Sequence, residues 1–89
     1  MAYSVELSES ADRELSKLDA QPRKRILKFL HERVAKLDEP RSIGKALHGS
    51  QLGEFWKYRV GDYRLISKIE DDRLLVLVLR VGHRKEIYR

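Results

Sequence analysis

The chain contains no cysteine, only two prolines and one tryptophan, and no long hydrophobic run. Without cysteine there is neither a disulfide framework nor a thiolate metal site. The same absence fits a reducing compartment, and the expected location is the cytoplasm. The longest apolar run, residues 74–79, is far too short to cross a bilayer, so no membrane association is expected. The opening Met1-Ala2-Tyr3-Ser4-Val5 has no basic n-region or apolar h-region, and no signal peptide is expected. His31, His48 and His83 stand far apart, with no HExxH pattern or carboxylate cluster near them, so no metal site is expected. There is no nucleophile-elbow signature, and no glycine-rich phosphate loop precedes a helix. No cofactor is expected.

What is present is charge, unevenly placed. Over 89 residues the net charge is +5. Residues 1–38 carry eight Lys/Arg against seven Asp/Glu, residues 39–56 two of each, and residues 57–89 nine against five. Four of the five excess charges therefore lie in the last third, which suggests a polyanion or an acidic partner. The length suits one domain, residues 1–89, with a single modest core.

Hydrophobic periodicity predicts an α+β domain. Residues 2–7 alternate as a strand, with Tyr3, Val5 and Leu7 on one face. Ser8 offers an N-cap to a short helix whose stripe is Ala11, Leu15 and Leu18. Glu14 has Leu18 four positions on, so charge pairing along this helix is expected to contribute little. Pro22 suits the first turn of a second helix striped by Ile26, Leu30, Val34 and Leu37, its other face basic. Pro40 ends that helix, and residues 42–53 read as loop, with His48 a surface or turn residue.

Residues 53–60 then alternate, with Phe55, Lys57 and Arg59 on one face and Trp56, Tyr58 and Val60 on the other. Gly61-Asp62 is a two-residue hairpin turn. In the next strand Arg64, Ile66 and Lys68 oppose Tyr63, Leu65 and Ile69. Residues 74–81 form an almost continuous aliphatic run, expected for a central strand covered on both faces. Three such strands make an antiparallel meander, with the N-terminal strand beside them.

The resulting candidate site is a sheet edge carrying Lys57, Arg59, Arg64, Arg84 and Lys85, with Tyr58, Tyr63 and Tyr88 interleaved. Strand alternation alternatively sends Trp56 and Tyr58 into the core and leaves Tyr63 on either side. Arginine pairs bidentately with phosphate and tyrosine stacks on bases, so the pattern points to single-stranded RNA or DNA. Cleavage of RNA needs the ribose 2′-OH deprotonated, held in line, and the developing phosphoryl charge neutralised. A lysine set among arginines has its ammonium form disfavoured by like charge and suits the role of base. Fixed arginines suit the neutralisation.

The segments Leu47-His48-Gly49, Trp56-Lys57-Tyr58-Arg59-Val60-Gly61-Asp62-Tyr63-Arg64 and Val81-Gly82-His83-Arg84-Lys85-Glu86-Ile87-Tyr88 together resemble the RelE/ParE superfamily of toxins, on its RelE-like branch. The resemblance covers essentially the whole chain. It implies two antiparallel helices on a curved antiparallel sheet. It also implies a type II toxin that a RelB-like antitoxin wraps and neutralises in a hetero-oligomer. RelE-like members cut mRNA in the A site of the 70S ribosome. By the resemblance Lys57 matches a strand lysine acting as general base or charge stabiliser, and Arg64 the arginine that orients the scissile phosphate. Arg84 matches the arginine that protonates the leaving 5′-oxygen or stabilises its charge, and Tyr88 the tyrosine that stacks on an mRNA base. Arg59, His83 and Lys85 are expected to contact RNA. Relatives carry a second lysine two positions before Lys57, where this chain has Phe55, which leaves the identity of the base open. Some relatives also carry a C-terminal helix, which is not expected here with the sequence ending at Arg89. The alternative within the superfamily is a ParE-type toxin that inhibits DNA gyrase without nuclease activity.

Overall fold

The computed structural model describes residues 3–47 and 55–85. Its elements are β1 (Ser4–Leu7), α1 (Glu9–Ser16), α2 (Ala20–Glu32), β2 (Lys45–Ala46), β3 (Phe55–Val60), β4 (Tyr63–Glu70) and β5 (Leu75–His83). The five strands form one sheet in the order β1-β5-β4-β3-β2. The β3-β4-β5 meander is antiparallel, while β1 runs parallel to β5 and β2 antiparallel to β3. The helices cover one face of this sheet, and the α+β fold is the one the periodicity implied.

Alternation does most of the work. Tyr58 and Val60 of β3, Leu65 and Ile69 of β4, and Val76, Val78 and Val81 of β5 meet Ala11, Leu15, Ile26 and Leu30 of the helices in one core. The valines of β5 are not evenly spaced, and a register shift between Ile66 and Ser67 corrects for this. Ser67 pairs with Val78 and Ile66 with Arg80, leaving Leu79 as the extra residue of a bulge. The bulge resets the phase, so Val78 and Val81 both point inward although three positions apart. Leu75 and Val76 are buried on opposite faces, but Leu77 and Leu79 stay half-buried, so the run is covered on both faces only at its start. Part of its length reflects the phase change instead.

Ser8 caps α1 by accepting the Ala11 N–H at 3.0 Å, and its hydroxyl also donates to the Leu79 carbonyl at 3.0 Å. One side chain thus starts the helix and ties it to the bulge. Beyond Leu7 the strand β1 ends, and β5 becomes the edge of the sheet. There Glu14 accepts the Val81 N–H at 3.0 Å through one carboxylate oxygen and the Arg80 guanidinium at 3.0 Å through the other. Among the described residues Glu14 has no charge partner along its helix, as Leu18 at the fourth position implied, and pairs instead with a residue 66 positions away on β5.

The second helix is shorter than its apolar stripe. It ends at Glu32, and Val34–Lys36 and Pro40–Ile43 form 3₁₀ turns. Val34 and Pro40 are still buried, so the stripe continues on a different backbone. Residues 42–47, expected as loop, instead supply the end of a turn and the short edge strand β2. His48 and Tyr88 lie outside the described residues.

Two polar contacts fix this region. The Tyr58 hydroxyl, wholly buried, donates to the Pro40 carbonyl at 2.7 Å. Gly44 allows the chain to pass the same ring, since a Cβ there would lie 3.0 Å from Tyr58 Cε1. Arg41 grips Asp71 with two bonds of 2.9 Å, and the Tyr3 hydroxyl donates to Asp71 at 2.6 Å. Arg41 and then Tyr3 hold the Asp71 carboxyl below its usual range, and the same carboxylate pushes the Tyr3 hydroxyl up. Asp71 begins the 3₁₀ turn whose exit, Leu74, has φ 48°. That left-handed conformation costs a non-glycine residue roughly 1–2 kcal/mol, and the clamp on Asp71 helps to hold it.

Burial pushes the Tyr58 hydroxyl from 10.0 up to about 12. The neutral form is favoured by folding, so the unfolded chain releases this proton first as pH rises. Stability from Tyr58 is therefore complete below about pH 10 and is lost as pH rises toward about 12. Tyr58→Phe should remove that alkaline slope in urea titrations and cost about 1–3 kcal/mol at neutral pH, because the Pro40 carbonyl loses its donor. An unchanged midpoint with the alkaline slope retained would contradict this assignment.

Candidate functional site

The uncovered face of the sheet carries the other half of the alternation. Register sets Lys45 opposite Lys57 and Arg59 opposite Arg64. These four residues, with Ile43, line a concavity of about 220 Å³. No acidic side chain is among its described lining residues. Lys45 was missed by the sequence reading. Its signal, a lone lysine after Gly44, becomes legible only once β2 pairs with β3.

Arg64 is half-buried and already aimed. Its Nη1 donates to the carbonyls of Gly61 and Tyr63, both at 3.0 Å. A guanidinium has five N–H donors, and these two bonds occupy one nitrogen. The Nε and Nη2 donors remain as a fork of the kind that grips a phosphate bidentately. The hairpin that supplies the carbonyls has Gly61 at φ +59°, and Gly61 alone of the two turn residues has a positive value. Glycine at the first central position is what a type II′ turn requires.

Arg84 follows β5 directly. Its backbone N–H donates to the Asp62 carbonyl at 2.8 Å, and its Nε lies 4.0 Å from the Asp62 carboxylate. It therefore sits at the hairpin end of the sheet, past Gly82, which pairs with Arg64. Lys85 is exposed, its backbone N–H donating to His83 Nδ1 at 3.2 Å. His83, expected among the RNA contacts, takes the other side. Its ring meets Tyr63 edge-on at 5.8 Å, and both line a hollow with Glu14, Lys17 and Leu18 of the helical layer.

Two further expectations are corrected. The basic patch is a sheet face, not an edge, because Arg64 belongs to β4, the middle strand of five. Tyr58 and Tyr63 are not interleaved with the cations. Odd–even alternation puts both on the helix-covered side, where Tyr58 is buried against Phe29 at 6.0 Å between ring centres. Among the described residues no group of three or more His, Cys, Asp or Glu side chains could hold a metal ion. No helix among them is long and apolar enough to cross a membrane.

Like charges directly opposite on neighbouring strands destabilise a sheet by a few tenths of a kcal/mol. Arg59 and Arg64 are such a pair. Arg59→Thr should therefore raise the melting temperature by about 2–4 °C, equivalent to roughly 0.5 kcal/mol in a domain of this size. A lowered melting temperature in calorimetry would mean that the pair is not in repulsive contact.

Comparison with known proteins agrees over the whole chain. Residues 5–88 match the family described as ParE toxin of type II toxin-antitoxin system. Toxin RelG of Mycobacterium tuberculosis is 36% identical over 89 residues, covering 100% of this chain and 99% of the relative. The mRNA interferase toxin RelE of Escherichia coli is 33% identical over 90 residues, covering 99% and 92%. Among solved structures, the RelBE2 toxin-antitoxin complex of M. tuberculosis superimposes with TM-score 0.85 at 31% identity, covering 97% and 95%. A free E. coli RelE in which two arginines are replaced by alanine gives 0.77 at 28%, covering 99% and 90%. The chain belongs to the RelE/ParE superfamily of type II toxin-antitoxin toxins.

Proposed function

We propose that this toxin is a ribosome-dependent endoribonuclease that cuts mRNA in the ribosomal A site. The observation that carries the reading is the concavity in which Lys45, Lys57, Arg59 and Arg64 converge on the open face of the sheet. Such a site concentrates positive potential where a phosphodiester gains negative charge. The name of the E. coli relative, an mRNA interferase, supports the same reading. In the reaction the 2′-oxygen attacks the adjacent phosphorus, a P–O bond to the 2′-oxygen forms, and the bond to the 5′-oxygen breaks. The 2′-OH proton leaves to a base, and a proton returns to the 5′-oxygen.

In this scheme Lys57 takes the proton or neutralises the attacking oxygen. The Arg64 fork holds the non-bridging phosphate oxygens. Arg84 faces the leaving oxygen, and stabilising its charge suits a guanidinium better than giving up a proton, since arginine stays protonated. Tyr88 stacks on a base of the codon, and Arg59 and Lys85 contact flanking phosphates. His83 receives no role. The partners are then the 70S ribosome with its message, and an antitoxin, in keeping with the antitoxin-bound complexes of similar structures.

The test is primer extension on a defined message with the purified chain, with and without programmed ribosomes. Cuts should appear only with ribosomes and only in the A-site codon. Arg64→Ala should slow them about 10²–10³-fold, and Arg64→Lys should not restore the rate, because a point charge lacks the fork. Full-rate cutting by Arg64→Ala would overturn the assignment. The family description by ParE favours a second reading, inhibition of DNA gyrase. Accumulated DNA cleavage complexes with intact mRNA would select it.

A further inference from the structure

A second basic concavity lies around the corner from the first. It occupies about 290 Å³ between α2 and the β3–β4 hairpin, with Arg25, Lys28 and Arg33 on its helical side and Arg59 opposite. Glu32 is the one acidic residue among its described lining residues. Phe29, half-buried, contributes an aromatic surface, and the Arg33 guanidinium lies 5.9 Å from its ring centre. None of Arg25, Lys28 and Arg59 makes an ion pair with a carboxylate among the described residues.

Arg59 lines both concavities. The reason is local. Strand β2 pairs only with Trp56 and Lys57, so from Tyr58 onward β3 is the edge of the sheet. The exposed Arg59 side chain can then serve the open face and the helix-side groove at once. Gly61 adds a second fact. A Cβ at this position would come 2.9 Å from the Arg25 guanidinium, so the turn glycine also lets Arg25 lie against the hairpin.

We propose that this groove is a second RNA subsite, which takes the sugar-phosphate backbone of a single strand continuing from the first concavity past Arg59. The inference rests on the nuclease reading and names where the RNA goes next. Cations around an aromatic surface suit phosphates with a base stacked between them. An acidic peptide would use the cations but has no base for Phe29. The strand is either the message downstream of the A-site codon or a segment of ribosomal RNA, and both present the same chemistry.

The experiment measures affinity of the fluorescently labelled chain for programmed ribosomes between about 50 and 200 mM salt, with cleavage assayed alongside. Arg25→Gln/Lys28→Gln should weaken binding about three- to tenfold and flatten the log–log salt slope by about 1.4, at roughly 0.7 per lost single-strand contact. Cleavage at saturating protein should be unchanged. Because Arg25 also packs on Gly61, Lys28→Gln alone should give about half the slope change, and Arg25→Lys should retain the original slope. On a message ending at the A-site codon, disappearance of the defect assigns the groove to downstream mRNA, and its persistence to ribosomal RNA. Unchanged ribosome affinity and slope, with cleavage intact in the unaltered chain, would overturn the subsite and leave the nuclease reading standing. The same holds if the loss falls only on antitoxin affinity. No ribosome-dependent cleavage by the unaltered chain would overturn the nuclease reading and the subsite with it.

Discussion

The structure depends on a sheet that is covered on one side only. The two helices pack one face of β3 and β4 into the core and leave the other uncovered, its Lys57, Arg64, Ile66 and Lys68 only half-buried. A strand has a period of two, so a single choice of register decides the fate of every residue in it. In β3 it sends Tyr58 and Val60 under the helices and leaves Lys57 and Arg59 on the open face. In β4 it does the same with Leu65 and Ile69 against Arg64, Ile66 and Lys68. The core and the basic concavity are therefore one constraint seen from two sides. A one-residue slip would bury four cations and expose the core.

Holding that face in shape falls to contacts at its margins. Tyr58 reaches through the core to the Pro40 carbonyl, and this positions the segment that leads into Lys45. Arg41, three residues before Gly44, clamps Asp71 at the far end of β4 and packs its guanidinium 5.6 Å from the Trp56 ring centre. At the opposite end the hairpin carbonyls of Gly61 and Tyr63 aim Arg64. The cations are thus set by buried and semi-buried anchors, while register places Arg59 opposite Arg64. A cation pair in register is a poor choice for folding and a good one for a phosphate.

Much of this was legible in the sequence, because alternation and stripes are local properties. The two faces of residues 55–60 and 63–69, the Gly61-Asp62 turn and the helical stripes through Leu15 and Leu30 each follow from a few adjacent residues. What the sequence hid was contact between distant segments. Nothing near Glu14 announces Val81 and Arg80, and nothing near Tyr3 announces Asp71. Strand β2 is two residues long and has no period to detect, so Lys45 could not be added to the site. The bulge at Leu79 hid behind an aliphatic run that fits two phases equally well. Tyr63 was ambiguous because an aromatic residue suits both a surface and a core, and only the cover of the helical layer settles its side.

The central claim is that the cationic face acts on a phosphodiester through the neighbouring 2′-OH. The most direct measurement replaces that one hydroxyl. A message carrying 2′-deoxyribose on the 5′ side of the A-site scissile bond is placed on programmed ribosomes beside its all-ribose twin, and cleavage and binding are followed together. The account predicts that the deoxy message binds with unchanged affinity and is not cut at that bond, while the ribose message is cut. Equal cutting of both messages would contradict it, since water or another nucleophile would then be attacking the phosphorus.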